Sequence, residues 1–167
     1  GIGKLTALKL AKDGHHVYVH GRNAPKLETV ISEIKTESNN ENIQGFVADF
    51  SDLQAVKNMA NQINQDLSKL DVLINNAGVY KSAISKTNDD LEIRFAVNYF
   101  APYTLTEELL SLLKKGTAPR IINLSSAAQA PVSIEALKGR APLTEMEAYS
   151  QSKLALTMWS LYLAETE

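Results

Sequence analysis

The stretch HVYVHGRNAPKLETVISEIKTESNNENIQGFVA, residues 16–48, holds two short apolar runs with a helical pattern between them. Neither His16–His20 nor Ile43–Ala48 alternates cleanly between apolar and polar, which is how a strand covered on both faces reads. Between them Leu27, Val30, Ile31 and Ile34 recur at helical spacing behind Pro25, whose missing N–H suits a first helical turn. The spacing predicts a helix over Ala24–Glu37. Parallel neighbours need a crossover of this kind, so the unit reads as strand, helix, parallel strand.

The same alternation extends in both directions. Before it, Lys4–Lys12 reads as a helix behind Gly1-Ile2-Gly3. After it, Leu53, Val56, Ala60, Ile63 and Leu67 mark a helix that Ser51 is expected to cap, with Gln54 answering three residues later. Val72–Ile74 and Ile121–Leu124 read as further strands. Asp89–Lys115 reads as a helix that Pro102 kinks or divides. The last helix, Tyr149–Ala164, is apolar nearly all round, through Leu154, Leu156, Met158, Trp159, Leu161, Tyr162 and Leu163. Such a helix asks for cover on more than one side, from its own sheet and from another subunit. The expected fold is an α/β doubly wound parallel sheet in one domain over residues 1–167, without linker or repeat.

Composition narrows the partners. Lysine plus arginine number 17 against 19 aspartates and glutamates, for a net charge of −2 and a pI near 6.0. No cation excess exists to neutralise a phosphate backbone, which argues against nucleic acid and acidic membranes. The absence of cysteine excludes disulfides, thiolate nucleophiles and cysteine-held metals, and three scattered histidines leave little for a metal site. No apolar run approaches the roughly 18 residues of a membrane span. A cytoplasmic protein with no membrane partner is expected. The chain opens without methionine and stops inside a helical pattern at Glu167, so a longer natural gene product is expected.

Ligands of an open α/β sheet sit beyond the carboxyl ends of the strands, which directs attention to five polar clusters. Gly1-Ile2-Gly3 precedes a helix N-terminus, where backbone can approach a phosphate; two glycines before a helix more often mean a plain tight turn. Gly21-Arg22-Asn23 follows the first strand, and no acid occurs between Val17 and Asn23. Arginine there favours a ribose 2′-phosphate over a 2′-hydroxyl, although a solvated arginine beside a helix cap reads the same. Asp49-Phe50 offers an acceptor for an adenine amino group, or a helix cap. In Asn75-Asn76-Ala77-Gly78, paired asparagines can lock strand ends and the small residues admit a flat ring system; a turn is the alternative.

The fifth cluster joins Ser125-Ser126 to Tyr149 and Lys153, which stand four residues apart on one helix face. A phenol ionises near pH 10 and is a poor proton donor or acceptor at neutral pH, but a neighbouring ammonium favours its phenolate. A serine hydroxyl nearby could hold a carbonyl oxygen while charge develops on it.

Together, Gly1-Ile2-Gly3, Asn75-Asn76-Ala77-Gly78, Asn98 in Val-Asn-Tyr-Phe, Ser126 and Tyr149-x-x-x-Lys153 resemble the short-chain dehydrogenase/reductase family, in the family's order and across essentially the whole chain. The resemblance implies a Rossmann-like fold and an oxidoreductase that moves a hydride between NADP(H) and a small carbonyl or alcohol, NAD being the less favoured cofactor. It implies Tyr149 as general acid or base, Lys153 as the group that favours its phenolate and holds the nicotinamide ribose, Ser126 (rather than Ser125) as the carbonyl-orienting hydroxyl, and Asn98 as the holder of a relay water. It implies further that Gly1, Ile2, Gly3, Arg22, Asp49, Phe50, Asn76, Ala77 and Gly78 bind the cofactor, with Arg22 selecting NADP. The stretch between Ser126 and Tyr149 is long for the family and similar to that of retinol dehydrogenase-like members. The family's first strand and its later strands have no counterpart here, so the sheet and the pyrophosphate cradle are expected to be incomplete. Two alternatives share the fold: an NADP-binding sensor without turnover, and an interaction module using the apolar last helix. Homo-oligomerisation through helices 89–115 and 149–164 is expected.

Overall fold

The computed structural model describes all 167 residues, which divide into two compact units, Gly1–Asp49 and Phe50–Glu167. The fold is α/β and Rossmann-like. Its parallel pairing takes the form of two two-stranded sheets, in line with the incomplete parallel sheet expected.

In the first unit, α1 (Ile2–Lys12) leads through β1 (Val17–Gly21) and α2 (Ala24–Ser38) to β2 (Ile43–Val47). The strands pair in parallel from Val17 opposite Ile43 to Gly21 opposite Val47. Asn23 caps α2 by accepting from Lys26 N, with Pro25 in the first turn as the sequence predicts. Ala7, Ala11, Val17, Ile34 and Ile43 form the buried core. α2 lies so close to the sheet that a Cβ at Gly45 would stand 2.7 Å from Ile31 Cδ1 and 2.9 Å from Leu27 Cδ2.

In the second unit, α3 (Leu53–Asp66) precedes β3 (Val72–Asn75), and β3 pairs in parallel with β4 (Arg120–Asn123). Asp52, not Ser51, caps α3: its extended backbone lets the carboxylate accept from Gln54 N and Ala55 N, and a carboxylate suits the positive end of a helix.

The helix expected from Asp89 begins only at Ile93. Asp90 adopts a left-handed φ of 60°, and Glu92 caps the start by accepting from Arg94 N and Phe95 N. The helix then changes hand-hold twice, from α4 (Ile93–Phe95) through a π-helical turn (Ala96–Phe100) to α5 (Ala101–Leu113). Pro102 lies at the head of α5 and offers no N–H to the Asn98 carbonyl, which accounts for the irregularity there.

A short helix, α6 (Ile134–Leu137), precedes α7 (Glu145–Thr166). A capping box between Thr144 and Glu147 starts α7 four residues before Tyr149. Leu156, Trp159 and Leu163 bury one face of α7, and Tyr103 on α5 meets Trp159 edge-on. Met158, Leu161 and Tyr162 on another face stay more than half exposed. No helix is long and apolar enough to cross a membrane.

Candidate active site

The sheet end in the second unit is locked by side chains. Asn75, buried, donates to Asn123 Oδ1 at 2.8 Å and to Thr106 Oγ1 at 3.2 Å, joining the ends of β3 and β4 to α5. Asn123 in turn donates to Ser160 Oγ of α7 at 3.1 Å. This is the strand-end locking that paired asparagines predict, although only Asn75 performs it.

Immediately beyond, Asn98 hangs from the π-helical turn at 1% exposure. Its Oδ1 accepts from Val79 N at 2.7 Å, and its Nδ2 donates to Val79 O at 3.0 Å and to Ser152 Oγ at 3.0 Å. Asn98 thus pairs with the Val79 backbone as a neighbouring strand would, fixing the segment that follows Asn76, Ala77 and Gly78. Ser152 passes the linkage on by donating to Tyr149 O at 2.7 Å.

Lys153 reaches into the same place. Its Nζ donates to the Leu124 carbonyl at 2.7 Å, just past β4, and lies 6.0 Å from the centre of the Tyr149 ring. Burial lowers the Lys153 pKa from its ordinary 10.5. Gly78 leaves open the space in front of this amine: a Cβ there would stand 3.3 Å from Asn98 Oδ1 and 3.5 Å from Lys153 Nζ. Tyr149 itself is half-buried, with the Tyr80 ring edge-on at 5.2 Å.

The two serines differ. Ser125 is committed to α7, donating to Lys153 O and sharing a 2.6 Å bond with Thr157 Oγ1. Ser126 Oγ accepts from Ala128 N at 3.1 Å in a tight turn, which leaves its hydroxyl proton to donate. Ser126 makes no hydrogen bond to Tyr149 or Lys153. The structure therefore brings Gly78 beside Asn98 and Lys153, and Lys153 beside the Tyr149 ring, joins Asn98 to the Tyr149 backbone through Ser152, and reaches Ser126 only through the short segment that follows β4.

The other expected cofactor residues divide between the units. In the first, Gly1 and Ile2 are exposed at the N-terminus of α1, with Gly3 half-buried, and Gly1 is a cap without a side chain. Arg22 is exposed between the end of β1 and the Asn23 cap, and Asp49 is exposed after β2. In the same unit His20 Nε2 donates to Ala48 O at 2.8 Å; burial lowers its pKa, against the raising influence of that carbonyl and of Asp49. Phe50, in the second unit, is buried, and Asn76 and Ala77 are half-buried. The Leu124 carbonyl, Ser152 and Tyr80 are participants that sequence reasoning missed. Two of these contribute backbone or a back-bonded hydroxyl, which carry no motif.

Comparison with known proteins bears on the family and the fold. A family model described as short chain dehydrogenase matches residues 1–166, across both units. Mouse retinol dehydrogenase 12 is 36% identical over 99% of this chain and 53% of its own length. Human polyprenol dehydrogenase is 35% identical over 98% of this chain and 51% of its own. The chain therefore spans about half the length of the curated relatives it matches. Among solved structures, a protein from Mycobacterium paratuberculosis superposes with a TM-score of 0.82 at 29% identity, covering 98% of this chain and 57% of that one. A metagenomic short-chain oxidoreductase in complex with NADP gives 0.76 at 28% identity, covering 99% and 71%. The order of motifs, the parallel α/β pairing and the match from end to end agree: the chain belongs to the short chain dehydrogenase family.

Proposed function

We propose that this chain carries the catalytic and cofactor-binding part of an NADP-dependent oxidoreductase acting on a carbonyl or alcohol. The observation that carries the reading is the meeting of Lys153 Nζ, the Tyr149 ring, Asn98 and the open space at Gly78. A sensor or scaffold has no use for a buried ammonium beside a phenol.

Within each unit the residues present suit a part of a nicotinamide nucleotide. Gly78 keeps clear the approach to Lys153 that a side chain would obstruct, and the bare N-terminus of α1 at Gly1, Ile2 and Gly3 suits a phosphate. Asn76, Ala77 and Phe50 would line the nucleotide, Asp49 would accept from the adenine amino group, and the exposed Arg22 would pair with a 2′-phosphate. When bound, that nucleotide supplies or accepts the hydride. Complexes of structural neighbours with NADP and NADPH support a nicotinamide cofactor, and Arg22 is the residue that favours the phosphorylated one.

The chain's own residues handle the proton and the carbonyl. Tyr149 gives its phenolic proton to the substrate oxygen in reduction and takes it back in oxidation. The Lys153 ammonium stabilises the charge left on the phenol oxygen. Ser126, with a hydroxyl proton to donate, orients the substrate oxygen. The Asn98 carbonyl, which Pro102 denies its helical N–H partner, holds a water that leads the proton away. Retinol and polyprenol, for which two relatives are named, are both primary alcohols of isoprenoid chains, and this favours an apolar substrate of that class. We infer also that the protein self-associates through α5 and α7, on the strength of the exposed Tyr103, Met158, Leu161 and Tyr162.

The test is turnover and binding by the native protein. NADPH should bind at least tenfold more tightly than NADH in a fluorescence titration, and Tyr149→Phe should abolish reduction of retinal while leaving NADPH binding intact. Equal affinity for the two nucleotides removes the role of Arg22. Undiminished turnover by Tyr149→Phe removes the mechanism, and a monomer in sedimentation removes the proposed interface.

A further inference from the structure

A buried guanidinium lies two contacts from Tyr149 and has no part in the mechanism above. Arg94 is 3% exposed, and its three nitrogens serve three different segments. Nε donates to Tyr80 O at 2.7 Å, Nη1 to Glu92 Oε1 at 2.7 Å and Nη2 to Glu145 Oε1 at 2.6 Å. Glu92 is fixed in turn, since its other oxygen caps α4. One cation therefore ties together the segment after β3, the start of the 93–113 helix and the first turn of α7.

Two of those ties lead to the phenol. Tyr80, whose carbonyl Arg94 holds, sets its ring edge-on to Tyr149 at 5.2 Å with an interplanar angle of 70°. Glu145 opens the helix that delivers Tyr149 one turn later. We propose that Arg94 is a positioning residue for Tyr149, fixing through Tyr80 the aromatic wall beside the phenol and through Glu145 the origin of its helix. The proposal rests on Tyr149 being the proton-transfer group.

The chemistry requires arginine. A planar fork reaches acceptors in three directions at once, whereas a lysine ammonium in the same space keeps the charge but cannot span them. Arg94→Lys thus leaves Glu92 and Glu145 a cation while releasing Tyr80 O. Tyr80→Ala removes the wall from a side chain already 38% exposed.

The test uses the native protein with 3-fluorotyrosine at position 149, read by fluorine NMR and by turnover of retinal with NADPH. Tyr80→Ala calibrates the shift produced by losing the neighbouring ring. Arg94→Lys is expected to move the resonance in the same direction, and the double variant to move it no further than Tyr80→Ala alone. In turnover, kcat should fall about tenfold in Arg94→Lys, as a small misplacement of a reacting group does, with NADPH affinity unchanged. A position-149 resonance that stays put in Arg94→Lys overturns the proposal, as does a kcat loss matched by an equal loss of NADPH affinity. If the wild-type protein reduces no carbonyl, the proposed activity fails, yet the fluorine shift still decides the positioning. Should Arg94→Lys not fold, Glu145→Gln, at a carboxylate 54% exposed, carries the same two readouts.

Discussion

Replacing Asn98 with alanine removes three hydrogen bonds in one step. The Val79 N–H loses its acceptor at 2.7 Å, the Val79 carbonyl its donor at 3.0 Å, and Ser152 Oγ its donor at 3.0 Å. Asn98 is fully enclosed, so water does not replace the lost side chain without a cavity opening for it. Each buried group left unpaired costs about 1–3 kcal/mol. Val79 is only half-buried, and Ser152 retains its bond to Tyr149 O, so the lower end applies to both. The sum is about 2–4 kcal/mol, a large share of the roughly 5–15 kcal/mol that holds a domain folded. Urea denaturation of the native protein should show the unfolding free energy falling by that amount, so that the midpoint drops by that loss divided by an unchanged slope. Asn98→Asp keeps the acceptor for Val79 N and turns a second oxygen toward the Val79 carbonyl, so at neutral pH it should be no more stable than Asn98→Ala. A cost below about 1 kcal/mol for Asn98→Ala would refute the claim that this side chain fixes the segment beyond β3.

Three further outcomes follow from local packing and burial. Gly78→Ala, whose Cβ would stand 3.3 Å from Asn98 Oδ1 and 3.5 Å from Lys153 Nζ, should lower the urea midpoint somewhat, since the fixed Asn98 must give way, and should weaken NADPH binding; unchanged binding removes Gly78 from the cofactor site. Gly45→Ala sets a methyl against the ends of Ile31 and Leu27 at 2.7 and 2.9 Å, and such overpacking should cost about 1–3 kcal/mol in the same denaturation; a neutral effect would show that α2 moves aside freely. For His20, burial disfavours the charged ring, so the unfolded chain takes up its proton first as pH falls below the ordinary 6.5. Stability should therefore drop from there down to the lowered folded value. Thermal melts at pH 7.5 and 5.5 should show a larger drop for the wild type than for His20→Gln, and equal drops would remove His20 as the cause.

Element types were legible because parallel strands covered on both faces leave apolar runs and their crossovers leave helical ones; β1, α2 and β2 fall within a residue of where those runs place them. What misled was local chemistry shared by neighbours. Ser51 and Asp52 are both good caps, and only the backbone angle at Asp52 decides between them. Asp89 and Asp90 look like first-turn acids, but the left-handed φ at Asp90 bars a helix there, and glutamate at the true start, Glu92, is an uncommon cap. The Thr144-x-x-Glu147 capping box was plainly readable, and it moves the start of α7 upstream of Tyr149.

The site divides along the same physical line. Tyr149 and Lys153 could be paired from sequence because helix geometry makes a four-residue spacing a contact. Gly78 and Asn98 could be named only through their motifs. Their convergence depends on the Leu124 carbonyl and the Val79 backbone, groups every residue possesses and no pattern marks. Arg94 is the extreme case. Beside Glu92 it reads as an ordinary surface ion pair, yet it is buried, and its other carboxylate partner, Glu145, lies far along the chain. Leaving a buried carboxylate without its cation is costly whatever that cation serves. The fluorine shift at position 149, and not a loss of stability, is therefore the reading that separates orientation of the phenol from support of the fold.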